Sequence, residues 1–251
     1  MIDVHSHILP GIDDGSSSYE ESIEILKEAK EAGFDEIIST SHYYLNEYTE
    51  NEEKRKELLN KLNEDDNNEV RLHLGSEIYV CSSIPDLIEQ KEASTMNGSK
   101  YVLFEIHLRG ECPELKNVII DLQSKGYKLI LAHPERYEIF QKNPSRVEEI
   151  LDLGVYLQSN FLSILGEYGK AAQKTVELFL KHDMISFLGT DVHREKRYFP
   201  RVKEASEKII DIIGQDCFDI LTNENPKLLL ENKEIDNTEY TRITKTLFGY
   251  K

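Results

Sequence analysis

The feature that most constrains what this chain can fold into is an alternation. Short, apolar, β-branched runs occur at residues 2–5, 36–40, 70–76, 101–106, 128–132, 155–158 and 185–189, separated by longer charged, amphipathic stretches. Runs this short and this apolar predict strands covered on both faces. The stretch 19–32 carries Ile23, Leu26 and Ala29 at helical spacing and stops at Gly33, a C-terminal cap signal. Stretches 115–125 and 146–153 stop in the same way at Gly126 and Gly154, and Pro144-Ser145 opens the second of them. Helices are also predicted over 167–181 and 201–213, and a last one after the polar segment 222–226, with Pro226 at its start. Seven β-then-α units without consecutive strands predict parallel pairing through right-handed crossovers. The expectation is a closed or nearly closed seven-stranded α/β barrel that uses residues 1–251 as one domain, with a doubly wound open sheet as the competing arrangement.

Composition narrows the functional classes. With 39% hydrophobic and 31% charged residues the chain can build a full core. A net charge of −17 argues against nucleic-acid backbones and anionic membranes as partners. No apolar run approaches the roughly 18 residues of a membrane span, and the opening MIDVHSHILPG lacks the basic and apolar blocks of a signal peptide. Three cysteines are a sparse, odd set, so a reduced, cytoplasmic setting is expected. Residues 47–69 hold nine acidic and four basic side chains and are expected to form a solvated helix and loop. The polar tail after Asn232 is expected to fray.

Function is read from position. Five of the eight histidines, His5, His7, His42, His133 and His193, fall at or just past the C-terminal ends of predicted strands, joined by Glu77, Glu105 and Asp191. In barrel enzymes that edge carries the active site. His5 and His7, two apart in an extended segment, point to one face and can grip one ion, and Asp191 and His193 repeat the spacing. Asp13 and Asp14 follow the first strand, and one of them can reach back as a ligand. About nine such ligands suit two or three ions, and mixed imidazole and carboxylate donors favour Mn, Fe or Zn over Ca or Mg. Clustered divalent ions acidify a bound water and hold phosphoryl oxygens for in-line attack. Three such ions would outweigh the four carboxylates of Asp14, Glu77, Glu105 and Asp191, leaving a positive pocket in an acidic protein. Arg136 and Arg197 stand at the same rim, where a guanidinium can neutralise phosphate oxygens; Arg194 and Arg109 read as surface residues. A cysteine-phosphatase loop is excluded, since the residues six past Cys81, Cys112 and Cys217 are Leu87, Val118 and Asn223. His73 reads as a hydrogen-bonded core residue and His182 as surface, while a spare-ligand role for His107, two past Glu105, is the minor alternative for that residue.

The His-x-His opening, Thr-Ser-His at 40–42, Gly-Ser-Glu at 75–77, Phe-Glu at 104–105, His-Pro-Glu-Arg at 133–136 and Thr-Asp-Val-His at 190–193 together resemble the PHP (polymerase and histidinol phosphatase) superfamily. Within it, MIDVHSHILPGIDDGS and AHPERY are similar to the tyrosine phosphatases encoded in bacterial capsule and exopolysaccharide loci, the CpsB/YwqE type. The resemblance implies a distorted (β/α)7 TIM-like barrel holding three ions, usually manganese. The first would take His5, His7, Glu77 and Asp191. The second would take Glu77, Glu105 and His133, and the third Asp14, His42 and His193. Arg136 and Arg197 would hold the phosphate, and Asp13 is a candidate proton donor to the leaving group. The implied activity is hydrolysis of phosphotyrosine by metal-activated hydroxide, notably on the tail of a partner kinase that controls polysaccharide export. A small-molecule phosphomonoesterase of the histidinol-phosphatase kind is the alternative, and the oligomeric state is left open. Where the family commonly shows Thr-Pro-His, this chain has Thr-Ser-His followed by Tyr43-Tyr44-Leu45, a loop that flanks the expected pocket.

Overall fold

The computed structural model describes residues 1–194, 198–236, 239–246 and 249–250. Nine short parallel strands curl around one axis: β1 (Ile2–Ser6), β2 (Glu36–Ser39), β3 (His42–Tyr43), β4 (Arg71–Leu74), β5 (Glu77–Tyr79), β6 (Tyr101–Glu105), β7 (Lys128–Ala132), β8 (Tyr156–Asn160) and β9 (Phe187–Gly189). They form a three-stranded sheet, β1-β2-β4, and a six-stranded sheet, β3-β5-β6-β7-β8-β9. The two sheets are one curled wall, because β3 follows β2, and β5 follows β4, after a two-residue break, beyond the expected strand ends at residues 40 and 76. Thr40-Ser41 and Gly75-Ser76 mark the breaks. The ring closes where the Asp191 N–H donates to the His5 carbonyl at 2.7 Å and the His7 N–H to the Val192 carbonyl at 2.9 Å. The expected distorted seven-unit barrel is therefore what forms.

Helices α1 (Tyr19–Glu31), α2 (Glu52–Asn63), α3 (Ile84–Glu89), α4 (Leu115–Ser124), α5 (Glu138–Lys142), α6 (Glu148–Leu151), α7 (Gly169–Lys181), α8 (Tyr198–Ile213), α9 (Gln215–Asp219) and α10 (Asn225–Leu230) follow the strands. Local chemistry sets their ends. The Ser18 hydroxyl caps α1 by accepting from the Glu21 N–H, Glu20 and Glu21 sit in its first turn, and Lys30 in its last. The outward strand residues Ile37, Leu72, Val102, Leu131 and Leu188 pack with Leu26, Leu62, Ile119, Phe179 and Val202 of the helices in one apolar cluster. Each such side chain, fully buried, contributes about 1.5–3 kcal/mol. A second cluster fills the barrel: Val4, Ile38, Leu103, Ile130, Tyr101, Tyr156 and Phe187, closed off by Leu229 and Ile235.

Three expectations are corrected. The last helix does not begin at a polar cap. Residues Ile220–Glu224 form a π turn that runs from α9 into α10, with Pro226 in the first turn of α10. The wider turn suits a proline, which has no N–H to return to the preceding turn. The tail after Asn232 is docked over its described residues. The Tyr101 hydroxyl donates to the Lys233 carbonyl at 2.8 Å, the Tyr156 hydroxyl to the Ile235 carbonyl at 2.7 Å, and Ile235 is buried. Finally, the charged segment 47–69 is not solvated throughout, because Arg55 of α2 is fully buried. Its guanidinium donates to the Glu92 carbonyl at 2.7 Å, to Ser94 Oγ at 3.3 Å and to Ser76 Oγ, tying α2 to the residue before Glu77. Burial lowers the Arg55 pKa to about 10 in spite of the nearby Glu52. Replacing Arg55 with Met strands three acceptors. Urea unfolding of R55M is expected to show a loss of about 2–4 kcal/mol; an unchanged midpoint would contradict this account.

Candidate metal centre

The site begins with an irregularity in β1. Asp3 pairs with Ile37 and Ser6 with Ser39, so three steps on β1 match two on β2. A bulge of this kind re-aims the side chains that follow it. Asp3 holds the bulge. Its carboxylate accepts from the His5 N–H at 3.1 Å, the Thr190 N–H at 2.9 Å and the Thr190 hydroxyl at 2.5 Å. Burial raises its pKa to about 6 against those hydrogen bonds. Two glycines give the histidines room. A Cβ on Gly189 would lie 2.7 Å from His5 Cβ, and one on Gly15 would lie 2.6 Å from His7 Cβ.

The imidazoles of His5 and His7 converge with Nε2 atoms 3.2 Å apart. Glu77 Oε2 lies 3.2 Å from His5 Nε2 and 3.4 Å from His7 Nε2, and Asp191 Oδ1 lies 3.5 and 3.4 Å from the same atoms. All four side chains are buried. Donors bound to one ion at about 2.0–2.2 Å stand roughly 3.0–3.5 Å from one another, which is the spacing here.

The tautomers of both histidines are fixed from behind. Asp191 is an acceptor, held ionised well below the usual carboxylate range: burial pushes its pKa up, but His5, His7 and Arg136 more than offset this. Asn160 Nδ2 donates to its Oδ2 at 2.7 Å, Gln158 Nε2 donates to Asn160 Oδ1 at 3.0 Å, and Gln158 Oε1 therefore faces His5 Nδ1, at 2.7 Å, as an acceptor. His7 Nδ1 likewise donates to Asp13 Oδ2 at 2.7 Å. Each neutral ring then has its proton on Nδ1 and a lone pair on Nε2. Burial opposes charge on the rings, but Glu77 and Asp191 raise the pKa of His5 and Asp13 that of His7, so a proton fills this place until a metal cation displaces it and meets two lone pairs and two carboxylates. Asp13 is fully engaged, since its oxygens also accept from the His42 N–H at 2.8 Å and the Gly15 N–H at 3.0 Å. It is held below the ordinary carboxylate range, because His7 and His42 outweigh burial. That placement makes it a support for His7, in contrast to the proton donor that the sequence left open.

The remaining expected ligands gather beside this group. His42 Nδ1 lies 3.0 Å from Glu77 Oε2 and 3.1 Å from Glu105 Oε1. His133 Nε2 lies 2.8 Å from Glu77 Oε1 and 4.0 Å from Glu105 Oε2. Asp14 Oδ1 lies 3.6 Å from His42 Nε2 and 3.4 Å from His193 Nε2, with His7 completing that group. His42 Nδ1, Glu77 Oε2 and His133 Nδ1 are buried without a hydrogen bond. His133 and Asp191 both sit at positive φ, 33° and 54°. This conformation costs about 1–3 kcal/mol at each and is tolerated where a site demands it.

At the mouth, the Arg136 guanidinium reaches Asp191 Oδ2 at 2.6 Å and lies 4.6 Å from the Tyr168 ring centroid. Arg194 Nε donates to the Gly15 carbonyl at 2.6 Å. Arg197 lies outside the described residues. His107 joins none of the groups; its Nδ1 pairs with the Tyr79 hydroxyl. His73, in the barrel wall, bonds Glu36 Oε2 at 2.6 Å, and His182 bonds the Thr241 carbonyl at 2.9 Å on the surface. The sequence gives no role to Gln158, names Glu135 only within the His-Pro-Glu-Arg motif, and marks Tyr44 only as part of a loop flanking the pocket. The Tyr44 hydroxyl donates to Glu105 Oε1. Glu135, buried, accepts from the Asn160 N–H, the Ser159 hydroxyl and the Ser163 hydroxyl, and so fixes the end of β8.

Fold and site together define a metal-dependent hydrolase of the barrel type. Residues 1–231 match the family of capsular polysaccharide synthesis proteins CpsB/CapC. The tyrosine-protein phosphatase CpsB of Streptococcus pneumoniae is 30% identical over 243 residues, covering 94% of this chain and 100% of that one. The tyrosine-protein phosphatase YwqE of Bacillus subtilis (strain 168) is 31% identical over 257 residues, covering all of both. A crystal structure from the set of YwqE and CpsB, described as unique metal-dependent tyrosine phosphatases, superposes with a TM-score of 0.90 at 28% identity, covering 97% of this chain and 100% of that one. A histidinol phosphate phosphatase from Lactococcus lactis shares the fold alone, with a TM-score of 0.59 at 16% identity over 85% of this chain and 95% of that one. The chain belongs to the CpsB/CapC family, and with it to the metal-dependent tyrosine-protein phosphatases of the CpsB/YwqE type.

Two expectations follow from the supports behind the histidines. Q158L removes the acceptor that fixes His5, and metal affinity measured by chelator competition is expected to fall about 10–100-fold; unchanged affinity would remove Gln158 from the account. The cation-free site also holds protons. Burial and His7 oppose the charge on His42, but Glu77 and Glu105 raise its pKa to about 10. A cation that takes the ring nitrogen must displace that proton, so metal affinity rises with pH between 6 and 9. Calorimetry in Tris and in HEPES is expected to show proton release on binding, and identical heats in both buffers would contradict it.

Proposed function

We propose that residues 1–251 act as one catalytic unit that hydrolyses phosphotyrosine in a polypeptide, with three divalent cations held at the strand ends. His5, His7, Glu77 and Asp191 would hold the first, Glu77, Glu105 and His133 the second, and Asp14, His42 and His193 the third. Manganese is the proposed metal, with iron or zinc as substitutes, because the donors are mixed imidazole and carboxylate. The observation that carries this reading is the pair of buried Nε2 atoms 3.2 Å apart, with Glu77 and Asp191 on either side. Bound there, divalent cations supply an acidified water as nucleophile and positive charge for the phosphoryl oxygens.

The protein's own side chains do the rest. Asp13 and Gln158 keep His7 and His5 in the tautomer that offers Nε2. Arg136, set between Asp191 and the Tyr168 ring, presents its guanidinium where charge grows on the equatorial oxygens. Arg197 is proposed as a second guanidinium on sequence grounds. Asp14, half exposed, and His193 form the solvent-facing side through which the phosphate arrives. The leaving phenol has a pKa of about 10 and departs with modest acid help. The proposed substrate is a phosphotyrosine segment of a kinase that controls polysaccharide export, met in the cytoplasm. The excess of acidic residues offers no track for a nucleic acid. Among the described residues no helix is long and apolar enough to cross a membrane.

The test is a phosphatase panel on metal-analysed protein: phosphotyrosine peptide, phosphoserine peptide and histidinol phosphate. Phosphotyrosine is expected to be preferred, chelation to abolish turnover and manganese to restore it best. Preference for histidinol phosphate would favour a small-molecule phosphatase, and full activity after complete demetallation would end the reading. R136A is expected to keep its metal content while turnover falls at least about 100-fold; survival of activity would remove Arg136 from phosphate binding.

A further inference from the structure

Beside the metal centre lies a cavity of about 320 Å³. Its walls are Tyr43 at the end of β3 with Tyr44 and Leu45 of the loop after it, and Tyr79 at the end of β5 with Cys81 of the loop after it and Leu87 of α3. Tyr44 belongs to both places. Its ring lines the cavity while its hydroxyl donates to Glu105 inside the cluster, so one side chain separates the two. The wall is rigidly built from aromatic contacts: the Tyr44 ring lies 4.9 Å from Tyr79 and 5.6 Å from Tyr48, and Tyr48 stacks on His42 at 5.8 Å. An Asn46 at φ 72° turns the chain between Tyr44 and Tyr48 and leaves Leu45 pointing outward, 47% exposed.

One exposed apolar residue belongs to this cavity. Among the described residues three large hydrophobic side chains are exposed: Leu45, Leu108 and Ile120. Leu45 lines the cavity. Leu108 follows His107, whose ring bonds the Tyr79 hydroxyl on the cavity wall. Leu45 is thus an exposed apolar side chain on the wall of a cavity beside the cluster. Glu47 is the one charged residue of the cavity lining.

We propose that the loops after β3 and β5 form a subsite that receives an apolar side chain flanking the phosphorylated tyrosine of the substrate polypeptide. This rests on the reading of the metal centre as a phosphotyrosine site. A phosphotyrosine seated at the cluster leaves its backbone at the mouth, and residues on either side follow at about 3.8 Å per step. The cavity is separated from the cluster by the Tyr44 side chain, its lining is mostly aromatic and aliphatic, and it is wide enough for one side chain. Glu47 disfavours an acidic neighbour by like-charge repulsion.

The test uses the manganese-loaded full chain and phosphotyrosine peptides of one backbone, with Leu, Ser or Asp placed in turn at each of the two positions before and after the phosphotyrosine. At one position or more, the Leu peptide is expected to exceed the Ser peptide about tenfold in kcat/KM, with Asp lower still. L45S, an exposed position outside the metal centre, is expected to reduce that ratio while leaving turnover of free phosphotyrosine unchanged. E47Q is expected to raise the Asp peptides alone. Equal kcat/KM for Leu and Ser at all four positions would overturn the subsite, as would a fall in L45S that is equal for free phosphotyrosine and peptide. Loss of the subsite in this way leaves free-phosphotyrosine hydrolysis standing. Absence of that hydrolysis in the unmodified, manganese-loaded protein would instead overturn the reading of the metal centre.

Discussion

The structure depends on a sequence of directed hydrogen bonds that ends in two bare nitrogen lone pairs. It starts at Asp191, which can only accept. It passes through the amides of Asn160 and Gln158, each of which must then turn its oxygen away from Asp191, and reaches His5 Nδ1. Asp13 does the same for His7 in one step. A histidine free to choose its tautomer would donate from Nε2 to Glu77 or Asp191 and satisfy itself without a metal. The relay denies it that choice, so Nε2 of each neutral ring is left to a cation: a metal, or in its place the proton that the neighbouring carboxylates hold on the ring. The buried, unbonded Glu77 Oε2 and His42 Nδ1 are the same condition seen from the neighbouring ligands.

The barrel exists to deliver those groups. Every strand from β1 to β9 runs in one direction, so the ends that carry His5, Glu105, His133, Asn160 and Asp191 meet at one edge. The delivery needs local exceptions as well as regular structure. The bulge in β1 turns His5, Gly15 and Gly189 let backbone approach the rings, and His133 and Asp191 accept left-handed conformations. Each exception lowers local stability, and the two apolar clusters on either side of the wall hold the frame while it does so.

Much of this was legible in the sequence because it is written in local pattern. Strand positions follow from short apolar runs, and the end of α1 follows from Gly33. The ligand-type residues stand out because, Asp14 apart, they cluster at or near the expected C-terminal ends of strands. What was hidden depends on partners distant in sequence. Gln158 looks like any polar residue in a strand until it is seen 153 positions away against His5. Arg55 lies in a charged stretch whose composition says solvent, and only the strand beneath α2 shows that it is buried. The bulge that turns His5 is a property of the pairing between β1 and β2, invisible in either strand alone. Asp13 and Asp14 are adjacent and chemically identical, yet one faces inward behind His7 and the other faces the mouth.

The far end of the barrel is stoppered by Leu229 and Ile235, with the tyrosines of β6 and β8 clasping the carbonyls of Lys233 and Ile235. The barrel is thus a blind well. Whatever reaches the metals comes in past Tyr44, Arg136 and His193, and inorganic phosphate departs along that same route. Among the described residues, reactant and spent product therefore share one doorway.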